Sequence, residues 1–463
     1  MMLKSGWNRR SFLSMLGAAA GSLFGPSKLN AEGMFSKDGK LPGASVDGRP
    51  IVPITKGLGS TGNVYAELGV TPLINIVGTV TVIGGSVMKP EVMELMRQGN
   101  QHFVMINELE VAAGRYIEKL CKTPPGYTGL VTGGVAAGIV VAYAGMLTED
   151  LEPRLSKVPD LTGFPKTEVI IQKGHRNPFD HQVRQTGVTL VEVETKDQMI
   201  NAINPKTLAM HFINIQSDRG QVSGPEMIEI AKKANIYTFN DASADVPPKE
   251  RLWEYPAQGW DFVAFSGGKD ICGPQSTGVL IGKEQLIRWA QMNMSPQEDR
   301  IGRACKVGKE QIFALLKALE MFVDQDYDEV LKMYDARADV ISKAVAKFGV
   351  TAQPRQFNPD ALGNVTPHYS WKIDQTKLNI TAQDVMKQLA ETKPVGIGST
   401  NADSMGMRGR NPDAPPPSPE QQQRHRRNQD ATTFGFAMWQ LKDGEDKIIA
   451  DRLVEIFSAA PKA

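Results

Sequence analysis

The sequence predicts an α/β chain built on a mainly parallel sheet covered by helices. Three observations carry that prediction. Short apolar runs recur at Val169–Gln172, Thr189–Val193, Leu208–Ile215, Ile236–Phe239, Phe262–Phe265 and Gly278–Ile281. Helix-like stretches, such as Asn177–Gln185 and Pro225–Ala234, lie between them. Such alternation is the pattern of strands paired in parallel through helical crossovers. Finally, His175, Asp241 and Lys269 fall just past the ends of apolar runs, and open parallel sheets bind ligands at the carboxyl ends of their strands.

Taken in chain order, the first element is a leader. Asn8-Arg9-Arg10-Ser11-Phe12-Leu13 precedes a short stretch, rich in Ala, Gly and Leu, that runs to Phe24. A basic start followed by a short apolar core reads as an export signal. The paired arginines ahead of Ser-Phe-Leu resemble the twin-arginine type. The stretch is short for a membrane span, and a disordered basic leader is the alternative. The expected organisation is an export signal over 1–31, an N-terminal arm over 32–85 and a large domain over 86–310. Linking helices and a small C-terminal domain follow over 311–463. The protein is therefore expected in the periplasm or otherwise exported, with the twin-arginine machinery as a partner.

Ser86–Gln98 and Glu108–Cys121 read as helices leading into the large domain. Gly126–Gly145 then reads GYTGLVTGGVAAGIVVAYAG, a short apolar strand that runs through Thr132-Gly133-Gly134 into a helix of small and β-branched residues. Glycines at such a turn leave backbone N–H groups at a helix N-terminus free for a phosphate; they also occur for packing alone. His175, Arg176 and His181 cluster around Asp180 beyond Val169–Gln172. They read either as ligand contacts or as a polar loop network.

Asn235–Asp245 reads NIYTFNDASAD and places Asp241 at a strand end. A carboxylate there can pair with a protonated ring nitrogen of a cofactor, or simply cap a following helix. Asp261–Gly282 reads DFVAFSGGKDICGPQSTGVLIG. Its Lys269 sits beyond a buried run and beside two glycines, with Ser266 three residues earlier. Partial burial favours the neutral, nucleophilic amine needed for Schiff-base chemistry; a surface hairpin is the alternative. Val307–Phe348 is mostly helical, with Ile312, Leu315, Leu316 and Leu319 at helical spacing. Arg303, Lys306 and Lys309 stand at its start. The cluster reads as a site for a substrate carboxylate or a cofactor phosphate, or as the solvated start of that helix; Arg303 suits bidentate carboxylate recognition better than a lysine does.

In that order, the glycine turn, the strand-end Asp241 and Ser266-Gly267-Gly268-Lys269 resemble the pyridoxal-phosphate enzymes of the aspartate-aminotransferase-like fold, fold type I. Ile74–Met96, Val169–His181, Phe265–Lys283 and Ile301–Ile312 narrow the match. They resemble the bacterial selenocysteine-synthase-like group, and within it the branch typified by D-glucosaminate-6-phosphate ammonia-lyase. The resemblance covers roughly residues 65–323, with a weaker match at Phe436–Leu453.

The resemblance implies that Lys269 carries pyridoxal 5'-phosphate as an imine, that Asp241 faces the pyridine nitrogen and that His175 stacks on the ring. It implies that Thr132, Gly133, Gly134 and Ser266 hold the phosphate. Arg303, Arg176 and His181 are the candidate substrate contacts. The implied activity is a lyase that eliminates across the α and β carbons of an amino-sugar acid or β-hydroxy amino acid and releases ammonia. Transaminase, racemase and selenium-transferase-like chemistry use the same lysine and stand as alternatives, as does an exported protein that binds the cofactor without catalysis. A homodimer or higher homo-oligomer is expected.

Composition agrees with a small-molecule enzyme. The 463 residues carry a net charge of +1 with no extended basic block in the body of the chain, which argues against a nucleic-acid partner. Arg408, Arg410, Arg424, Arg426 and Arg427 lie in or beside a Pro- and Gln-rich stretch at about 400–430, which reads as an insertion. The three cysteines, Cys121, Cys272 and Cys305, build no disulfide framework. No cysteine pair has metal-ligand spacing, and no metal is expected.

Overall fold

The computed structural model describes residues 58–357, 363–391 and 431–463, with backbone pairing at 45–46, 49–50 and 396–397. The leader at 1–31 and the stretch at about 400–430, including Arg408, Arg410, Arg424, Arg426 and Arg427, lie outside the described residues. The chain forms two compact units, 1–72 and 73–463. In the first, Ser45–Val46 pairs antiparallel with Arg49–Pro50, and Asn63 caps the short helix Val64–Glu67 through its side chain.

In the second unit, helix α1 spans Pro90–Gly99 and α2 Ile106–Leu120. The helix expected from Ser86 begins only at Pro90, because proline at the first turn has its φ preset and lacks an N–H that would be unsatisfied there. Strand β1, Tyr127–Thr132, leads into α3, Val135–Thr148. From Ala137 to Thr148, α3 is buried on every side, as its apolar, small-residue sequence demands. Then come β2 (Glu168–Gln172), β3 (Thr189–Val193) and β4 (Thr207–Ile213). Helix α4 (Gly224–Ala234) is followed by β5 (Tyr237–Asp241), α5 (Arg251–Ala257), β6 (Phe262–Ser266), β7 (Gly278–Lys283) and α6 (Glu284–Met292).

These strands form one sheet in the order β1-β7-β6-β5-β4-β2-β3. Pairs β3–β2, β2–β4, β4–β5 and β5–β6 are parallel. Strand β7 runs antiparallel to both β6 and β1. The strands therefore largely match the sequence expectation, with a single reversed member. Because β7 is reversed twice over, β1 runs the same way as β6. The carboxyl ends of β1, β2, β4, β5 and β6 thus share one edge with the start of β7.

Two further stretches differ from their expected form. Asn177–Gln185, read as a helix, is a 3-10 turn at Pro178–Asp180 followed by a single helical turn at His181–Arg184. Asn177 and Asp180 form a capping box there, and Pro178 sets the entry. The strand expected to reach Ile215 stops at Ile213, and Asn214 begins a 3-10 turn with its side chain donating to the Tyr255 hydroxyl at 2.8 Å.

Helices α7 (Lys309–Asp324) and α8 (Tyr327–Val345) lead to a three-stranded antiparallel sheet. It comprises β8 (Val350–Ala352), β9 (His368–Ile373) and β10 (Thr433–Ala437), covered by α9 (Ala382–Ala390) and α10 (Glu445–Ala459). One apolar cluster joins Trp371, Phe434, Phe436 and Phe457 with Ile74 and Ile76 from the start of the unit. Separate clusters line the two faces of the large sheet.

Candidate active site

The shared carboxyl edge gathers the sequence-predicted residues. Gly278 lies opposite Thr132 on one side and Ser266 on the other. A Cβ at Gly278 would lie 2.8 Å from the carbonyl carbon of Gly134 and 2.9 Å from the nitrogen of Val135. Only a glycine lets β7 run this close to the turn that opens α3. Gly134 is the N-cap of α3, at φ 97, with no side chain capping the helix and open space where its Cβ would be. The first N–H groups of α3 thus face an open position, where the helix dipole favours an anion. Thr132 donates its hydroxyl to the Gly134 carbonyl at 2.9 Å and so shapes this turn. The Ser266 hydroxyl has no hydrogen-bond partner among the described residues.

His175 closes a 3-10 turn, Lys173–His175, directly after β2. A Cβ at Gly174 would stand 1.9 Å from the carbonyl oxygen of Arg219, so glycine is required for this turn to pack on the one after β4. The His175 ring is fully buried and meets Phe212 edge-on at 4.7 Å between centroids. Its Nδ1 accepts the Ile213 N–H at 3.2 Å. Burial, with His211 and Arg219 nearby, pushes its pKa down to about 3. The ring is therefore neutral, and its Nε2–H is a buried donor with no partner.

Asp241 ends β5 and is 6% exposed. Its Oδ1 accepts the Ser243 N–H at 3.0 Å in a tight turn, so the carboxylate is not an α-helix cap. On the neighbouring strand β4, His211 sits inside an otherwise apolar run, its Nδ1 3.0 Å from the Tyr143 hydroxyl. Burial pushes the Tyr143 hydroxyl well above its ordinary pKa, so the phenol stays neutral beside the ring. Burial also lowers the His211 pKa to about 4 against the upward pull of Asp241 and Asp180.

Lys269 lies in the connection from β6 to β7, which joins antiparallel strands as a surface hairpin would. Burial nevertheless lowers its pKa, opposed by the charges of Asp241, Asp270 and Asp245. Sequence reasoning missed Asp270 and Asp245. Their signal was position alone, directly after Lys269 and four residues after Asp241. Burial raises Asp270 to about 6 and Asp245 to about 7. Asn364 donates to Asp270 Oδ2 at 2.9 Å. Ser86 Oγ donates to the Gly268 carbonyl at 3.0 Å, fastening the segment before α1 to the lysine turn.

The candidate substrate contacts divide. Arg303 lies in a 3-10 turn, Arg303–Cys305, that packs on the turn opening α3, since a Cβ at Gly133 would be 2.6 Å from the Cys305 carbonyl oxygen. Arg303 is half-buried and has no ion-pair partner among the described residues. Arg176 is engaged elsewhere, bonded to Asp180 at 2.5 Å and to Glu192. Exposed His181 meets Arg184 at 3.4 Å. Lys309 is tied to the Gly99 carbonyl at 2.8 Å and to Glu310.

Comparison with known proteins agrees with this geometry. Residues 169–297 match the aminotransferase class-V family. The D-glucosaminate-6-phosphate ammonia lyase of Salmonella typhimurium is 29% identical over 340 residues, covering 71% of this chain and 87% of the relative. An L-seryl-tRNA(Sec) selenium transferase of Rhizobium meliloti is 31% identical over 163 residues, 31% of this chain and 34% of the relative. A solved structure of D-glucosaminate-6-phosphate ammonia-lyase superposes with a TM-score of 0.69 at 26% identity, covering 86% of this chain and 99% of that one. Sheet order, half-buried lysine and likeness in sequence converge, and the chain is a pyridoxal-phosphate enzyme of fold type I, similar to the selenocysteine-synthase-like enzymes.

Proposed function

We propose that the chain is a lyase that releases ammonia from an amino-sugar acid or a β-hydroxy amino acid by α,β-elimination. The likeness to an ammonia lyase along most of the chain supports this. The observation that carries it is the half-buried Lys269 amine, set among Asp241, Asp245 and Asp270 at the sheet's carboxyl edge.

The residues present suit pyridoxal phosphate. The uncapped start of α3 and the free Ser266 hydroxyl suit the phosphate, with Thr132 and Gly133 shaping that turn. Asp241 suits the ring nitrogen. The flat His175 ring, with its orphaned N–H, suits an aromatic group bearing polar substituents. When bound, the cofactor supplies an electron sink for the pair released when a bond to the substrate's α-carbon breaks.

The chain supplies the rest. Burial disfavours the Lys269 ammonium, so the lysine offers a neutral amine and, once freed, a base for the α-proton. Neutral His175 donates a hydrogen bond without adding charge. Arg303, beside the phosphate turn, is the candidate for the substrate carboxylate.

Arg9-Arg10-Ser11-Phe12-Leu13 supports export by the twin-arginine route. Export in turn favours a non-phosphorylated substrate, since sugar phosphates are mainly cytoplasmic. Exposed Phe103, Val104 and Met105 support a homo-oligomer.

Borohydride treatment of the loaded protein should fix the cofactor on a peptide containing Lys269. Incubation with amino-sugar acids and with D- and L-hydroxy amino acids, without any second amine or oxo acid, should yield ammonia and a 2-oxo acid. Labelling of another lysine rejects the site. Turnover that appears only with an added amino-group partner, or inversion without ammonia, rejects the lyase reading in favour of a transaminase or racemase.

A further inference from the structure

Both sequence neighbours of Lys269 are held from outside the large sheet. On one side the Ser86 hydroxyl, from the segment before α1, donates to the Gly268 carbonyl at 3.0 Å. On the other the Asn364 amide, from the stretch that leads into β9, donates to Asp270 Oδ2 at 2.9 Å. The turn between them has closures of its own. The Cys272 N–H donates to the Lys269 carbonyl at 2.9 Å, and the Gly273 N–H to the Gly267 carbonyl at 2.8 Å. Yet it contains Gly267, Gly268 and Gly273, and glycine leaves a backbone many conformations to choose from. The connection, from Ser266 to Gly278, is also longer than a tight hairpin whose ends would fix it.

Asn364 reaches this turn because its own backbone is fixed. The Val365 N–H donates to the Pro247 carbonyl at 2.8 Å. The Val365 carbonyl accepts the hydroxyl of Tyr327, at the start of α8, at 2.7 Å. Gly363 lies at φ 72, and a Cβ there would stand 3.2 Å from the Ala244 carbonyl oxygen. Glycine therefore lets the stretch lie against the turn that follows β5, and Thr366 is buried at its end. These anchors use main-chain groups of the stretch, so the seat of residue 364 does not depend on its side chain. The amide is then available to hold the residue next to Lys269.

We propose that Asn364 is a positioning residue for Lys269. From the C-terminal domain it holds Asp270, and together with Ser86 it fixes the backbone from which the lysine reaches. In the reaction class proposed above, the substrate's amine displaces that of Lys269 from the cofactor, and the lysine must later return. A backbone held on both flanks brings the amine back to one place, and a small misplacement there is costly in rate. Docking of the C-terminal domain thereby becomes a requirement of catalysis. This inference rests on Lys269 being the cofactor-bearing lysine.

The test pairs a measurement on cofactor-free protein with kinetics. Asn364→Leu keeps the side chain's size and removes the donor. Hydrogen–deuterium exchange of the Cys272 and Gly273 amides should quicken roughly fivefold to tenfold, while amides within β6 and β7 and the melting temperature stay as in wild type. In loaded protein kcat should fall about tenfold or more with KM little changed. Asn364→Asp sets two carboxylates face to face and should loosen the turn as much. Adding Asp270→Asn to it rebuilds the bond with donor and acceptor exchanged, and both readouts should return towards wild type. A folded Asn364→Leu protein with unchanged exchange in the turn overturns the proposal. So does a loosened turn with wild-type kcat, or a doubly substituted protein no tighter than Asn364→Asp. Should Asn364→Leu not fold, Asp270→Ala removes the same bond from the other side, and unchanged exchange there overturns the proposal equally. Borohydride labelling away from Lys269 in wild type would instead remove the site reading, while the exchange result would stand.

Discussion

The backbone N–H of Ile213 donates to Nδ1 of His175 at 3.2 Å, which obliges the neutral imidazole to carry its proton on Nε2. That N–H is buried without a partner, so the strand beside His175 fixes which ring nitrogen is the donor. His175→Phe keeps an aromatic ring of similar shape but removes the donor. Cofactor loading should weaken by about 1 kcal/mol, several-fold in Kd, with the fold retained. Fluorescence titration of the cofactor measures it, and unchanged affinity would mean that the N–H serves no bound group.

Asp241→Asn separates two roles. The Asn side chain can still accept the Ser243 N–H, so the turn and the melting temperature should hold. Turnover should drop by at least about a hundredfold if the negative charge supports the ring nitrogen. Steady-state kinetics on protein matched for cofactor content decides, and near-normal kcat would reduce Asp241 to a turn residue.

Gly278→Ala tests the close approach of β7 to the turn that opens α3. The added methyl would press on the Gly134–Val135 backbone, which cannot give way as a flexible side chain would. A loss of about 1–3 kcal/mol is expected. Cofactor affinity should fall with it, because the displaced groups are the N–H donors at the start of α3. Thermal melts with and without cofactor separate the two effects.

Glu110 on α2 offers a pH prediction away from the site. It is 2% exposed, bonded by the Gln291 amide at 2.9 Å, and burial raises its pKa to about 7. The folded state thus binds a proton that the unfolded chain has lost above its ordinary carboxylate pKa. Stability from this group is fully present below that value and declines as pH rises through about 7. Glu110→Gln should remove this decline and stabilise the protein at pH 8 by up to about 3 kcal/mol. Urea unfolding at pH 5 and pH 8 gives the comparison, and equal gains at both would refute it.

Replacing Arg9 and Arg10 together by Lys tests the export proposal. A receptor that reads guanidinium geometry should reject the variant, whereas a route that needs only positive charge should accept it. Cell fractionation against a cytoplasmic marker enzyme distinguishes them, with the variant expected to remain in the cytoplasm.

Much of the site could be read from the sequence because its residues sit where apolar runs stop. His175, Asp241 and Ser266 each fall at or just beyond a strand end, and a period of alternating runs marks those ends well. The limits are equally physical. The expected helix over Asn177–Gln185 failed because Pro178 and the Asn177 cap make a tight turn that local apolar spacing does not reveal. Arg176 also bonds Glu192 on a different strand, a pairing that its own loop does not announce. Tyr143 and His211 meet across 68 residues of sequence, and no periodicity announces such a pair. Asp245 looks like any turn carboxylate until burial strips it of water.

The double reversal at β7 also bears on how the protein is made. Thr132 and Gly278 face each other across 146 residues, so β1 has no place in the sheet until β7 has emerged from the ribosome. A nascent chain halted before Gly278 would lack the strand that joins β1 to β6. The edge that gathers Thr132, Ser266 and Gly278 therefore closes only once synthesis has passed β7.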